Sequence, residues 1–160
     1  MIHQLYHLGQ HNDADNSFAP NWSPSGLPSY HDADGSHAMT QAEIEELIVG
    51  FVAAAGRAQA SGFDGIEIFG GYNGLVDQFW TTWSNRRTDR WGGSFENRMR
   101  FSSEVLGRIR ERCGEDFIIG LGVSADPDSP AMPSLDELAA TVAWHDERRR
   151  LDYVPAGPGS

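Results

Sequence analysis

Polar and apolar positions follow two alternating periods along the chain, and the changes between them divide it into elements. Residues 2–6, IHQLY, read as a short strand, and residues 9–39 as a long connection rich in His, Asp, Asn, Ser, Pro and Gly. A connection of that length inside a compact domain is usually functional or mobile. TQAE at 40–43 forms a capping box, and a helix follows. Ile44, Leu47, Ile48, Phe51, Val52 and Ala55 recur along one of its faces, and Gly62 stops it. GIEIF at 65–69 is a strand. Ser94 caps a second helix carrying Met99, Val105, Leu106, Ile109 and Cys113, with a stop at Gly114. FIIGLGVS at 117–124 is the next strand, SLDE at 134–137 opens a third helix to about Arg149, and LDYV at 151–154 is a fourth strand.

Strands alternating with helices require a parallel sheet, because each helix carries the chain back to restart in the same direction. Two architectures share this order, a doubly wound open sheet and a (β/α)8 barrel. The long segments 7–39, 69–93 and 124–133 all follow strand C-termini, where both folds place function. No GxGxxG or GxxxxGK[ST] follows a strand, which puts the barrel ahead. The expected fold is therefore α/β, a partial (β/α)8 TIM barrel of about four parallel strands and three crossover helices, with residues 1–160 as one domain. The chain opens directly on a strand and closes just after one, so a piece of a longer fold is expected.

Composition narrows the chemistry. The 160 residues carry a formal charge of −11, which argues against nucleic-acid binding and suits a cationic ligand. All twelve basic residues are arginines, so a Schiff-base lysine and a P-loop lysine are excluded. Cys113, the single cysteine, sits in an apolar helical pattern and reads as packing. No run approaches the roughly 18 apolar residues of a membrane span, so no membrane partner is expected and the default location is cytoplasmic.

His3, His7 and His11, with Asp13 and Asp15 behind them, suggest a metal site. On a strand rising roughly 3.3 Å per residue, however, His3 and His7 stand about 13 Å apart, too far to share one ion, and no metal is expected. Gln4 sits in an otherwise apolar strand. It either faces the surface or points into the barrel, where its amide offers a donor and an acceptor to a heteroaromatic ring edge. SNRRTDRWGGSFENRMRF at 84–101 carries five arginines, which read as a loop locked by Arg–carboxylate pairs rather than as substrate contacts.

QLYHLGQ at 4–10, GFDGIEIFGGYNGLVDQF at 62–79 and above all NRRTDRWGGSFENRMRF at 85–101 resemble the Old Yellow Enzyme family of FMN-dependent NADH:flavin oxidoreductases. The similarity is greatest to the branch containing trimethylamine dehydrogenase, dienoyl-CoA reductase and N-methylproline-type demethylases. It implies FMN as cofactor, strands three to six of an eight-stranded barrel, and weak FMN binding by this chain alone for want of the phosphate loops. Gln4 matches the family glutamine on the flavin pyrimidine edge. Phe69 and Tyr72 stand where the family commonly has substrate-binding His or Asn. Gly74 replaces a proton-donating tyrosine and Gly122 an arginine near flavin N1 and O2, so reduction of activated alkenes is not expected.

Phe69, Tyr72, Trp80 and Trp83 cluster near one strand end, and ring faces without lysine suit a cationic methylated amine, each contact contributing roughly 0.5–2 kcal/mol. The leading expectation is oxidation of an N-methylated amine or betaine with hydride transfer to FMN. Tyr72 is the candidate catalytic residue, and Phe69, Tyr72 and Trp80 the substrate contacts. The plainer reading makes Phe79, Trp80 and Trp83 core residues. The rivals are NAD(P)H-dependent reduction of an unsaturated carbonyl, with NAD(P)H or another electron-transfer partner, and a silent half-barrel whose open edges favour a homo-oligomer or another interaction.

Overall fold

A computed structural model describes residues 1–11, 19–29, 35–126, 128–129 and 131–158. Its main sheet has four strands: β1 (Ile2–Leu5), β4 (Gly65–Gly70), β5 (Ile118–Ala125) and β6 (Ala156–Pro158), all parallel and in the order β1-β4-β5-β6. Each crossover carries a helix, namely α1 (Gln41–Ala60), α3 (Phe95–Cys113) and α4 (Leu135–Asp146). This is the expected partial barrel. A separate pair, β2 (Trp22–Ser23) and β3 (His37–Ala38), lies in the long connection; Asp13 and Asp15 fall outside the described residues.

Both capping boxes form, at Thr40 with Glu43 and at Ser134 with Glu137, and Ser94 caps α3. Glu43 is held at about 2, first by the Thr40 backbone amide and then by His37. The pleat places Ile66 and Ile68 of β4 and Ile119, Leu121 and Val123 of β5 under the helices, where they are fully or almost fully buried. The opposite face carries Glu67, Phe69, Gly120 and Gly122, with Gln4 beside them on β1, and among the described residues it is covered by side chains such as Tyr153 rather than by a helix. Among the described residues, no helix is long and apolar enough to cross a membrane.

Three elements differ from the sequence pattern. The segment after β4 contains a short helix, α2 (Leu75–Trp80), whose Leu75, Val76, Phe79 and Trp80 are all buried. The last strand forms at 156–158 rather than 151–154. Asp152 uses its carboxylate to accept from the Ile119 amide at 2.7 Å, and Pro155 has no N–H to give, so only Tyr153 bridges to Gly120 before the regular ladder begins. The third helix ends at Asp146, and the chain turns at Arg149, whose φ is 51°.

The arginine-rich loop is locked from within, mostly through backbone oxygens. Arg87 pairs with Asp89 and donates to the carbonyls of Pro24 (2.8 Å) and Met39 (2.7 Å). Arg98 donates to those of Trp80 and Gly93, and Asn85 to those of Phe79 and Trp91. These contacts tie the loop to β2, β3 and α2, as the non-catalytic reading expects.

Candidate functional site

The helix-free face of the sheet is built by register. Gln4 of β1 stands beside Glu67 of β4, Glu67 beside Gly120 of β5, and Gly120 beside Tyr153. One residue pair further on, Phe69 stands beside Gly122. The two glycines are required by the neighbours lying over them. A Cβ on Gly120 would sit 2.3 Å from the Tyr153 ring, and one on Gly122 would sit 2.8 Å from Phe69 and 2.9 Å from a Glu67 oxygen.

Glu67 is the hub of this face. Its Oε1 accepts from Gln4 Nε2 at 2.8 Å and its Oε2 from the Tyr153 hydroxyl at 3.0 Å. Burial, and then the neighbouring Glu67 carboxylate, push the Tyr153 phenol up to about 12, so Tyr153 stays a donor throughout the neutral range. Among the described residues no arginine or histidine forms an ion pair with Glu67, so the face keeps a carboxylate unmatched by a cation. Gln4 spends one N–H on Glu67, which leaves its amide oxygen and second N–H for a further partner. That pair complements an N–H flanked by a carbonyl on a planar ring.

Aromatic rings close the C-terminal end. Phe69 contacts Tyr6 edge-on with centroids 5.2 Å apart and Tyr72 at 5.5 Å. Tyr72 and Asn73 both have φ of 55°, an uncommon conformation for residues with side chains, and Tyr72 remains 41% exposed. The Tyr72 amide donates to Ser124 Oγ at 2.9 Å, tying the turn to the end of β5. Tyr6 lies against Gly74, where a Cβ would come within 2.4 Å of its ring and 2.9 Å of its hydroxyl.

Gln4, Phe69 and Tyr72 thus gather on one face and at one end of it. Trp80 does not join them, which corrects its assignment as a substrate contact. It is 2% exposed, packs beneath Gly70 on the helix side, and donates its indole N–H to Ser102 of α3 at 3.0 Å. Phe79 stacks on Phe101 at 4.4 Å in the same core. Trp83 is half buried, and no ring contact among the described residues joins it to Phe69 or Tyr72. His3 packs on Phe63, and the described residues hold no cluster of metal-binding side chains.

Three residues of the site escape the sequence reading: Tyr6, Glu67 and Tyr153. The signal was present in the pleat, since Glu67 and Phe69 share one phase of the strand and Ile66 and Ile68 the other.

Against known proteins, the family described as NADH:flavin oxidoreductase / NADH oxidase matches residues 1–153. The chain is 36% identical over 151 residues to an N,N-dimethylglycine/sarcosine dehydrogenase of Chromohalobacter salexigens, covering 94% of this chain and 22% of that protein. It superposes on a 2-naphthoyl-CoA reductase with a TM-score of 0.91 at 27% identity, covering 99% of this chain and 26% of the other. Old Yellow Enzyme from Pichia sp. AKU4542 superposes with a TM-score of 0.83 at 28% identity, over 97% of this chain and 46% of that one. The chain therefore spans about a fifth of the length of the matched dehydrogenase and just under half of the yeast enzyme.

Proposed function

Because the chain belongs to the NADH:flavin oxidoreductase / NADH oxidase family, we propose that its helix-free face is part of an FMN site that oxidises an N-methylated amine or betaine. FMN is the cofactor of this family, and the residues present fit one of its edges. Gln4 offers an acceptor and a donor to the pyrimidine ring, and Gly120 and Gly122 let the Tyr153 and Phe69 rings lie close over the sheet beside it. For a secondary or tertiary amine that has first lost its ammonium proton to water, bound FMN would supply a two-electron acceptor for hydride from the N-methyl carbon, and water would hydrolyse the resulting iminium to the demethylated amine and formaldehyde.

The observation that carries the reading is Glu67. A carboxylate with no cationic partner among the described residues, beside Phe69 and the Tyr6 and Tyr72 rings that Phe69 contacts, attracts a positively charged amine by charge and by ring quadrupole together. Phe69 acts as a wall and Tyr72 offers its hydroxyl for polar contact or proton handling. Trp80 has no part in it. The likeness to a dimethylglycine/sarcosine dehydrogenase supports the same substrate class.

The second reading, reduction of an unsaturated carbonyl with NAD(P)H as electron donor, is favoured by the superposition on a 2-naphthoyl-CoA reductase. Anaerobic mixing of FMN-loaded protein with dimethylglycine separates the two. Loss of the flavin's visible absorption supports amine oxidation, whereas bleaching by NADPH alone, reversed by an enoyl substrate, supports the second reading. Equal affinity for a methylated amine and its uncharged isostere would remove the amine cage, and protein that stays colourless with FMN would mark a silent half-barrel.

A further inference from the structure

Beneath the Tyr72 turn lies a polar group that the site itself does not use. Asp77, in the first turn of α2, is 1% exposed, and the buried Asn73 and Gln78 belong to the same turn, with Gln78 accepting from the Gln10 amide. Its Oδ2 accepts from the Asn73 amide at 2.9 Å, while its Oδ1 is fully buried without a hydrogen-bond partner. Gln78 tightens the same turn by donating to the Asn73 carbonyl at 2.5 Å and to that of Leu8 at 3.2 Å. The same short helix is otherwise largely apolar, with Leu75, Val76 and Phe79 all buried.

Among the described residues, no ion pair balances an Asp77 anion. The titratable groups on the elements packed around α2 are engaged elsewhere. His7 Nδ1 accepts from the Gly9 amide, and His11 is paired with Ser29. Glu67 of β4 is held by Gln4 and Tyr153. Arg98 of α3 donates to the Trp80 and Gly93 carbonyls, and His145 of α4 shares a hydrogen bond with Ser102. Asp126, after β5, accepts from the amide of Asp128.

We propose that Asp77 is a positioning residue that works as a protonated, neutral acid. From inside the core it holds the Tyr72–Asn73 turn in its left-handed conformation, and its ionisation releases that turn. A neutral carboxyl can accept the Asn73 amide on one oxygen and carry a proton on the other, which removes an uncompensated buried charge. Burial, opposed by the amides of Asn73, Asp77 and Gln78, pushes its acidity up to about 8, in agreement with the geometry. The functional meaning rests on Tyr72 being a site residue, but the turn itself is observable without FMN or substrate.

The sign follows from proton counting. An unfolded aspartic acid ionises near its ordinary value of 3.8, whereas the folded one keeps its proton to about pH 8. The folded state therefore binds more protons between these limits, so stability falls as pH rises through that window and levels off above it.

The experiment titrates the ligand-free chain by following the Asp77 13Cγ resonance and the Tyr72 and Asn73 amide resonances from pH 5.5 to 9.5. The expected result is a carboxyl that is protonated at pH 6, with all three signals moving at one midpoint near 8. In Asp77→Asn the two amides hold still across that range, and the thermal stability of the variant relative to the parent rises from pH 5.5 to 8. A carboxylate signal for Asp77 at pH 6, or turn amides that ignore its titration, overturns the proposal. Should Asp77→Asn fail to fold, the titration of the unmodified chain decides alone. Loss of FMN binding with the titration intact would count against the proposed function and leave this inference standing.

Discussion

The two faces of the same strands have opposite fates. On one, Ile66, Ile68, Ile119, Leu121 and Val123 are sealed under α1, α3 and α4. On the other, one residue out of phase, Gln4, Glu67, Phe69 and Tyr153 form a hydrogen-bonded and aromatic surface over two glycines, with no helix against it. Stability is concentrated on the first face, and the proposed recognition on the second. The pleat permits this division because neighbouring residues on a strand never share a face.

The largest expected effect breaks the comparison directly. Ile68→Ala should cost about 2–5 kcal/mol by leaving a cavity under the helices. Phe69→Ala, one residue away, should cost less, about 1–2 kcal/mol, because Phe69 is only partly buried. Urea unfolding of both variants is the check, and similar losses would show that the open face is core after all.

Next is Gly120→Ala. Its methyl group would meet the Tyr153 ring and force it away from Glu67, at a cost of about 1–3 kcal/mol. The Tyr153 phenol should then fall from about 12 toward an ordinary tyrosine, as read by ultraviolet titration. A phenol that stays high would mean that the ring does not depend on the glycine.

Smaller in stability, but sharper in function, is Glu67→Gln. It removes the charge while keeping the shape, and should change stability by about 0.5–1.5 kcal/mol, the net worth of an ordinary hydrogen bond. Affinity for a cationic methylated amine should drop several-fold, while an uncharged isostere should bind as before. Parallel titration calorimetry distinguishes this from a general loss of the site.

Much of the fold is legible in the sequence because its signals are local. The capping boxes at Thr40 and Ser134 and the stop at Gly114 are chemical marks within a few residues of where they act. The helix α2 is harder to read because it is a single six-residue turn hidden in a loop of glycines and aromatics, although Leu75, Val76, Phe79 and Trp80 carry helical spacing. The C-terminal strand is misread because LDYV is apolar enough for a strand, while the Asp152 carboxylate and Pro155 change its ladder.

Of the candidate site, the sequence names Gln4, Phe69 and Tyr72, whose proposed roles rest on their place on the open face, whereas Trp80 is not where ring composition suggests. Its place depends on Gly70, against which it packs, and on Ser102 on a helix 22 residues later, and neither partner announces itself in sequence. Glu67 and Tyr153 meet across 86 positions for the same reason. What joins them is strand register, together with a glycine whose missing side chain lets one ring reach past a strand.

The central claim is that this helix-free face receives the flavin through Gln4. Quenching of FMN fluorescence by the ligand-free chain, compared between the parent and Gln4→Ala, tests it most directly. A saturable quench that weakens by about tenfold in the variant, in keeping with the roughly 1.5 kcal/mol of a good hydrogen-bonding contact, is the result the account predicts. Identical titrations for the two proteins, or none for either, would contradict it.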